Sequence, residues 1–291
     1  MTSEPLGARR VAWLGVLAVV GWVACSSPPA SHRGDAQRLI AIAPSLVEVV
    51  YALGEGDRMV GVGLYTRWPP EAEHLPRIGG LFDPQLETIA SLKPDLALLL
   101  PSERTVRAQL GSLGIEVLTL RSETLDDVET AMTTVAERLG VADKGQQVVA
   151  EWRRQLAPRA TPAELSVLLV IGRERLGDLL VAGEETFLGE LVGRLGATNA
   201  AHGLGVAWAQ VGVDEILSRS PQMIIDLQPE EVSEETRASL IAAWSNLPQI
   251  AAVASGCVSV IDGDYTVLPG PRLPRLYEEL GQALDRCLEK R

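Results

Sequence analysis

One stretch of the chain occurs twice. Pro84-Gln85-Leu86-Glu87-Thr88-Ile89-Ala90-Ser91-Leu92-Lys93-Pro94-Asp95-Leu96 has its counterpart in Val211-Gly212-Val213-Asp214-Glu215-Ile216-Leu217-Ser218-Arg219-Ser220-Pro221-Gln222-Met223. Both read as a helix with acids in its first turn, stopped before a proline, then an apolar strand. Two further matches keep the same order along the chain: Glu48–Gly54 with Glu190–Gly196, and Gly114–Val117 with Gly256–Ser259. A single match could be chance. Three in sequence predict two similar lobes, and an ordered internal repeat is a strong constraint on fold. Strand-like runs alternate with helix-like ones: Leu39–Ile42, Met59–Gly63, Leu96–Leu100, Val117–Leu120, Val167–Ile171 and Val258–Ile261 are short and apolar, as strands of a buried parallel sheet are. The expected class is α/β, two Rossmann-like α/β lobes with a cleft between them. Between the lobes, Thr124-Leu125-Asp126-Asp127 opens a helix that ends near Gly140, and Val148, Val149, Trp152 and Leu156 recur at helical spacing. A single long helix over 141–160 is therefore predicted to join a first lobe at 38–140 to a second at 161–291. Ser45-Leu46-Val47-Glu48 reads as a capping box opening the first helix. Trp152 and Trp244 are expected in the core.

The start of the chain reads as an address. Arg9 and Arg10 precede an uncharged apolar stretch, Val11–Ala24, which is too short for a membrane span and suits a signal peptide over residues 1–24. Ala24-Cys25 resembles a bacterial lipoprotein cleavage site, with Cys25 as the lipidated residue; plain secretion and an uncleaved anchor are the alternatives. Residues 25–37, rich in Ser and Pro, read as a tether. The expected location is periplasmic or otherwise extracytoplasmic, anchored to a membrane by lipid. The whole chain carries a formal charge of −12, which argues against a nucleic-acid partner, since phosphate contacts need clustered Lys and Arg.

His32, His74 and His202 are scattered, and beyond Cys25 only Cys257 and Cys287 remain. No metal site held by the protein itself is expected. Cys257 begins the last strand and Cys287 lies late in the final helix. A helix returning antiparallel to that strand would bring them together, so a disulfide is expected, with two buried thiols as the alternative. The chain lacks Gly-x-Ser-x-Gly, a Walker loop and GxGxxG after a strand, so no catalytic residues are assigned.

In open α/β sheets, ligands sit beyond the carboxyl ends of the strands. That rule selects Tyr65, Arg67 and Trp68 after the second strand, Arg104 after the third, Arg173 after Ile171, and Asp264 and Tyr265 after the last. Trp208 falls on the loop between Gly205 and Val211. Aromatic faces suit a large planar ligand, and arginines suit its anionic groups. The plainer readings are that Trp68 packs beneath Pro69 and Pro70, that Arg67 and Arg104 are solvated, and that Arg173 pairs within its own loop.

Gly61-Val62-Gly63-Leu64-Tyr65-Thr66-Arg67-Trp68-Pro69-Pro70-Glu71-Ala72, Leu75–Gly80 and Leu86–Leu96, with Val206–Val211 and Leu268-Pro269-Gly270-Pro271-Arg272 in the second half, resemble the periplasmic binding proteins of ABC importers for cobalamin, ferric siderophores and haem. The resemblance runs from about Arg38 to the C-terminus. It implies capture of a metal chelate, a corrinoid before a ferric siderophore, by a monomer whose lobes close little. No cofactor is implied, because the metal arrives inside the ligand. In the cobalamin-binding members an aromatic at Tyr65, a Trp at Trp208 and an Asp at Asp264 line the cleft, and a cleft tryptophan falls near Phe82. A basic residue shortly after Asp264 is expected there, where this chain has Thr266, Val267 and Leu268. One acidic residue per lobe docks on the permease, which with its ATPase is the implied partner; Glu87 and Asp214, with Glu215 beside the latter, match those positions. Their plainer role is to complement helix dipoles. A Rossmann-type α/β enzyme and a purely structural lipoprotein are the rival readings.

Overall fold

The computed structural model describes residues 36–175 and 178–291. The expected signal peptide, Cys25 and almost all of the tether lie outside the described residues. In the first lobe, β1 (Leu39–Ala41), β2 (Met59–Val62), β3 (Leu96–Leu99) and β4 (Glu116–Thr119) form one parallel sheet in the order β2-β1-β3-β4. Helices α1 (Pro44–Ala52), α2 (Leu86–Leu92) and α3 (Arg104–Ser112) make the crossovers. Parallel strands need such connections, and helices on the sheet faces explain why β1 and β3 are buried throughout.

Between the lobes lie α4 (Leu125–Arg138) and α5 (Ala142–Gln155). The second lobe has β5 (Ser166–Arg175), β6 (Asp178–Ala182), α6 (Phe187–Arg194), β7 (Thr198–Asn199), β8 (Trp208–Val211), α7 (Val213–Arg219), β9 (Met223–Gln228), α8 (Glu234–Ala242), α9 (Ala251–Ala254), β10 (Val258–Asp262) and α10 (Leu273–Glu289). Its sheet runs β10-β9-β5-β6-β8, with β7 also paired to β5. The parallel set β7-β5-β9-β10 repeats β2-β1-β3-β4 strand for strand in chain order. The sequence repeat is thus a repeat of topology. It extends to backbone detail: Lys93 and Ser220, each before the proline that ends its helix, both adopt left-handed conformations (φ 49° and 38°). A following proline disfavours the right-handed helical region, so each chain exits sharply into its strand.

Three expectations change. The second sheet is not wholly parallel, because β5 runs on past Ile171 and folds back as β6, to which β8 adds antiparallel. The capping box is not at Ser45. Pro44, with its preset φ and missing N–H, takes the first helical position; Ala43 precedes it without a side-chain cap, and Ser45 is buried. A capping box forms instead at Thr124, whose hydroxyl accepts the Asp127 N–H at 3.1 Å while the Asp127 carboxylate accepts the Thr124 N–H at 3.3 Å.

The third change concerns the connection. The helix predicted over 141–160 is α5, and it is not alone. It packs antiparallel on α4, with Arg153 bridged to Glu129 and Gly145 set against Ala136 so closely that a Cβ would fall 2.3 Å from the alanine methyl. The N-terminus of α4 touches the second lobe, where Leu125 N–H donates to Glu190 Oε2 at 2.8 Å. Its far end touches the first, where Arg58 donates to Leu139 O at 3.1 Å. The α5 end returns to the second lobe, with Arg194 donating to Leu156 O at 2.9 Å. One cluster of buried apolar side chains runs from Leu39 and Val62 through Val135, Val149 and Trp152 to Leu169 and Leu284. Trp244 is fully buried in a second cluster on the other face of the second sheet.

Cys257 and Cys287 are bridged, with Cα atoms 5.1 Å apart, within the usual range for a disulfide. The bridge ties the start of β10 to the end of α10, the two ends that the antiparallel return brings together.

Candidate ligand cleft

The strands β1 and β2 of one lobe and β9 and β10 of the other end at a cavity of about 240 Å³. Its walls are Pro44, Glu48, Tyr65, Arg67 and Trp68 from the first lobe and Pro229, Glu230, Asp264, Val267 and Leu268 from the second. The loop after β2 can reach this place because residue 63 is glycine: a Cβ there would lie 1.9 Å from the Ile42 carbonyl oxygen. Leu64 N–H then donates to Gly79 O at 2.9 Å, and the Tyr65 ring lies over Gly80. Two adjoining loops therefore carry Leu64, Tyr65, Trp68 and Phe82, four of the nine large apolar side chains that are exposed among the described residues. Apolar groups concentrated in this way mark a binding surface.

Beneath Trp68 lies a group that joins the lobes. Arg272, just before α10, donates from Nε to Glu48 Oε2 at 3.0 Å and from its terminal nitrogens to Glu48 Oε1 and to Asp264 Oδ1, the last at 2.7 Å. Its guanidinium sits 5.3 Å from the Trp68 ring centre and 5.7 Å from that of Tyr265, close enough for cation–π attraction. Glu48 is buried, and burial raises its pKa, partly offset by the hydrogen bonds and charge of Arg272. A second pair, Arg67 with Glu230 at 2.7 Å, bridges the lobes at the surface, where both side chains are more than half exposed.

Of the residues expected from strand ends, Tyr65, Arg67, Trp68 and Asp264 come together at the cavity. Arg173 does not. The strand carries on through it, so its side chain follows the pleat to one face of the sheet; there it pairs with buried Asp226, donates to Leu240 O at 3.4 Å and lies 5.3 Å from the Trp244 ring centre. Tyr265, next to Asp264, turns inward, is buried, and donates to the Glu279 carboxylate at 2.6 Å. Burial, and then Glu279, push its phenol pKa far up. Trp208 belongs to edge strand β8 rather than to a loop, and its ring meets Phe187 edge-on at 6.0 Å, away from the cavity walls. Arg104 is exposed at the start of α3 and does not reach the cavity. Phe82 is almost wholly exposed and is not among the residues that wall the cavity. Glu48 and Arg272 are beyond strand-end reasoning; Glu230, two residues past β9, lies within its reach but is not singled out from the sequence.

Elsewhere, Glu87 and Asp214 occupy equivalent exposed positions in the first turns of α2 and α7. Glu215 is engaged by Arg219 one turn on, at 2.6 Å. Among the described residues there is no cluster of His, Cys, Asp and Glu able to hold a metal ion, and no helix long and apolar enough to cross a membrane.

A cavity closed by residues from two repeated α/β lobes, with aromatic faces from one lobe and carboxylates from both, defines a two-lobed ligand-binding protein. Residues 39–265 match the model of the periplasmic binding protein family, and the chain belongs to that family. It is 27% identical over 271 residues to the ABC transporter substrate-binding lipoprotein YvrC of Bacillus subtilis, covering 89% of this chain and 83% of that one. It is 28% identical over 246 residues to the vitamin B12-binding protein of Pectobacterium carotovorum, covering 81% and 84%. Among solved structures, a periplasmic haem-binding protein from Pseudomonas aeruginosa superimposes with a TM-score of 0.73 at 27% identity, over 86% of this chain and 92% of that one.

Proposed function

We propose that this protein is the capture component of an ABC importer, held outside the cytoplasm by lipid on Cys25, and that its ligand is a metal chelate, a corrinoid before a ferric siderophore. The observation that carries this reading is the pair of exposed rings, Tyr65 and Trp68, at a cavity walled by both lobes. Such rings offer a broad apolar face to a planar macrocycle. The B12-binding relative and the haem-binding structure support the same class of ligand. No chemistry is asked of the protein: it holds the chelate between lobes and hands it to a permease. Glu87 and Asp214, one per lobe and both exposed, are the proposed docking carboxylates; Glu215, already paired with Arg219, is a weaker substitute. Paired charges on separate lobes would orient the encounter and speed it in a salt-dependent way.

The test is an absorbance and tryptophan-fluorescence titration of the protein with cobalamin, cobinamide, haem and several ferric siderophores. A corrinoid should bind with quenching, and Trp68→Ala should weaken it at least tenfold, the cost of about 1.4 kcal/mol of lost ring contact. Failure of every chelate to bind would overturn the reading.

A further inference from the structure

The charges around the cavity do not cancel. Arg272 serves two carboxylates, Glu48 and Asp264, so that triad carries one net negative charge; Arg67 and Glu230 neutralise each other. Arg272 does not line this cavity: three of its five N–H groups go to the two carboxylates, and the rings of Trp68 and Tyr265 lie against it. Among the described residues Arg67 is the single cation on the cavity wall, and its charge is already offset by Glu230. Asp264, by contrast, lines the cavity, and its Oδ2 accepts no hydrogen bond from any described residue. Pro44, Pro229, Val267 and Leu268 on the same walls add no countercharge, so among the described residues Arg272, shared with Glu48, is the one cationic partner of Asp264. The faces of Tyr65 and Trp68 also prefer positive charge.

We propose that this cavity selects its ligand by charge. It accepts a chelate whose rim presents neutral N–H donors or a net positive charge, it disfavours one whose rim carries carboxylates, and Asp264 is the discriminating residue. This rests on the reading of the cavity as a chelate site and specifies which chelates fit. A ligand carboxylate near Asp264 meets a like charge in a partly apolar setting, where repulsion is stronger than in bulk water and should weaken binding roughly ten- to a hundredfold. A ligand amide at the same place donates to Oδ2, a charge-assisted hydrogen bond.

The clean experiment changes charge at constant shape. The full chain is titrated with cyanocobalamin and with its monocarboxylic acid, in which one peripheral amide is hydrolysed. The amide form should bind at least tenfold tighter at low salt, and the gap should narrow as salt screens it. Asp264→Asn, which keeps an acceptor for Arg272, should shrink the gap. Glu230→Gln, a surface change that frees Arg67, should strengthen binding of the carboxylate form alone. Equal affinity for the two forms, or a gap untouched by both substitutions, overturns the proposal while leaving the corrinoid reading standing. If neither corrinoid binds, that reading fails, and the charge rule is judged with haem against haem dimethyl ester. There a tighter ester supports it and a tighter haem overturns it. If none of the four binds, both fall.

Discussion

The two lobes share a plan and differ in what they add to it. The first is the bare unit, four parallel strands with crossover helices, and it gives the cavity its exposed rings on the loop after β2. The second extends the same unit with β6 and β8, adds a disulfide, and gives the cavity two carboxylates, Glu230 and Asp264. The position that precedes the last strand shows the divergence in one residue: Ile115 before β4 packs by apolar contact alone, and its counterpart Cys257 before β10 is covalently tied. A duplicated scaffold thus fixes where the loops emerge, and the loops differ in what they bring: the aromatic rings come from the first lobe alone, while both lobes supply charge.

The largest effect is expected where the lobes meet. Arg272→Ala leaves Glu48 buried without its cation, a situation that typically costs about 3–5 kcal/mol. Denaturant unfolding should show that loss, and adding Glu48→Leu should recover much of it. A single variant as stable as the parent would mean that the two lobes do not depend on this bridge. The next effect belongs to the second lobe only. Cys257→Ala with Cys287→Ala opens a loop of sequence separation 30, worth about 2–4 kcal/mol; in the parent, reduction should add two titratable thiols. A smaller, pH-dependent effect belongs to the first lobe. Glu103, buried before α3, accepts a hydrogen bond from Leu100 N–H; burial raises its pKa to about 7, and that bond only partly opposes the rise. The unfolded chain releases this proton first, so Glu103 should erode stability as pH climbs from about 4.5 to about 7, by up to roughly 3 kcal/mol, with little change beyond. Glu103→Gln should flatten thermal-melt midpoints across that window; an unchanged slope would place the titration elsewhere. The smallest structural effect is expected from Glu87→Ala with Asp214→Ala. Stability and ligand affinity should move by less than about 0.5 kcal/mol each, while stimulation of transporter ATPase should fall. Undiminished stimulation would leave both carboxylates as helix-dipole partners.

Much of the fold is legible in the chain because its buried strands are short, uniformly apolar and set off by prolines and glycines, as at Leu96–Leu99 between Pro94 and Pro101. The extension of the second sheet is not, because polar Gly172-Arg173-Glu174-Arg175 ends the apolar run while the strand continues. That one misplacement sent Arg173 to the cleft in the sequence reading and to a buried pair with Asp226 in the structure. Tyr65, Arg67, Trp68 and Asp264 were within reach of a local rule, the strand-end position. Glu48 and Arg272 were not, since their partnership spans 224 residues and no local pattern encodes it. The one available hint was Pro44, which shifts the helix start and frees Glu48 from a capping role.

The paired helices α4 and α5 have a mechanical consequence. Two rods packed along their length resist bending more than one rod does, because flexure must slide each past the other. Here sliding would move Gly145 away from Ala136, where its missing side chain lets the helices come close. The connection is built as a beam rather than a hinge pin, which favours small lobe movements over wide opening. If the protein serves an importer as proposed, releasing a bound ligand would take force from outside, applied across both lobes against that beam.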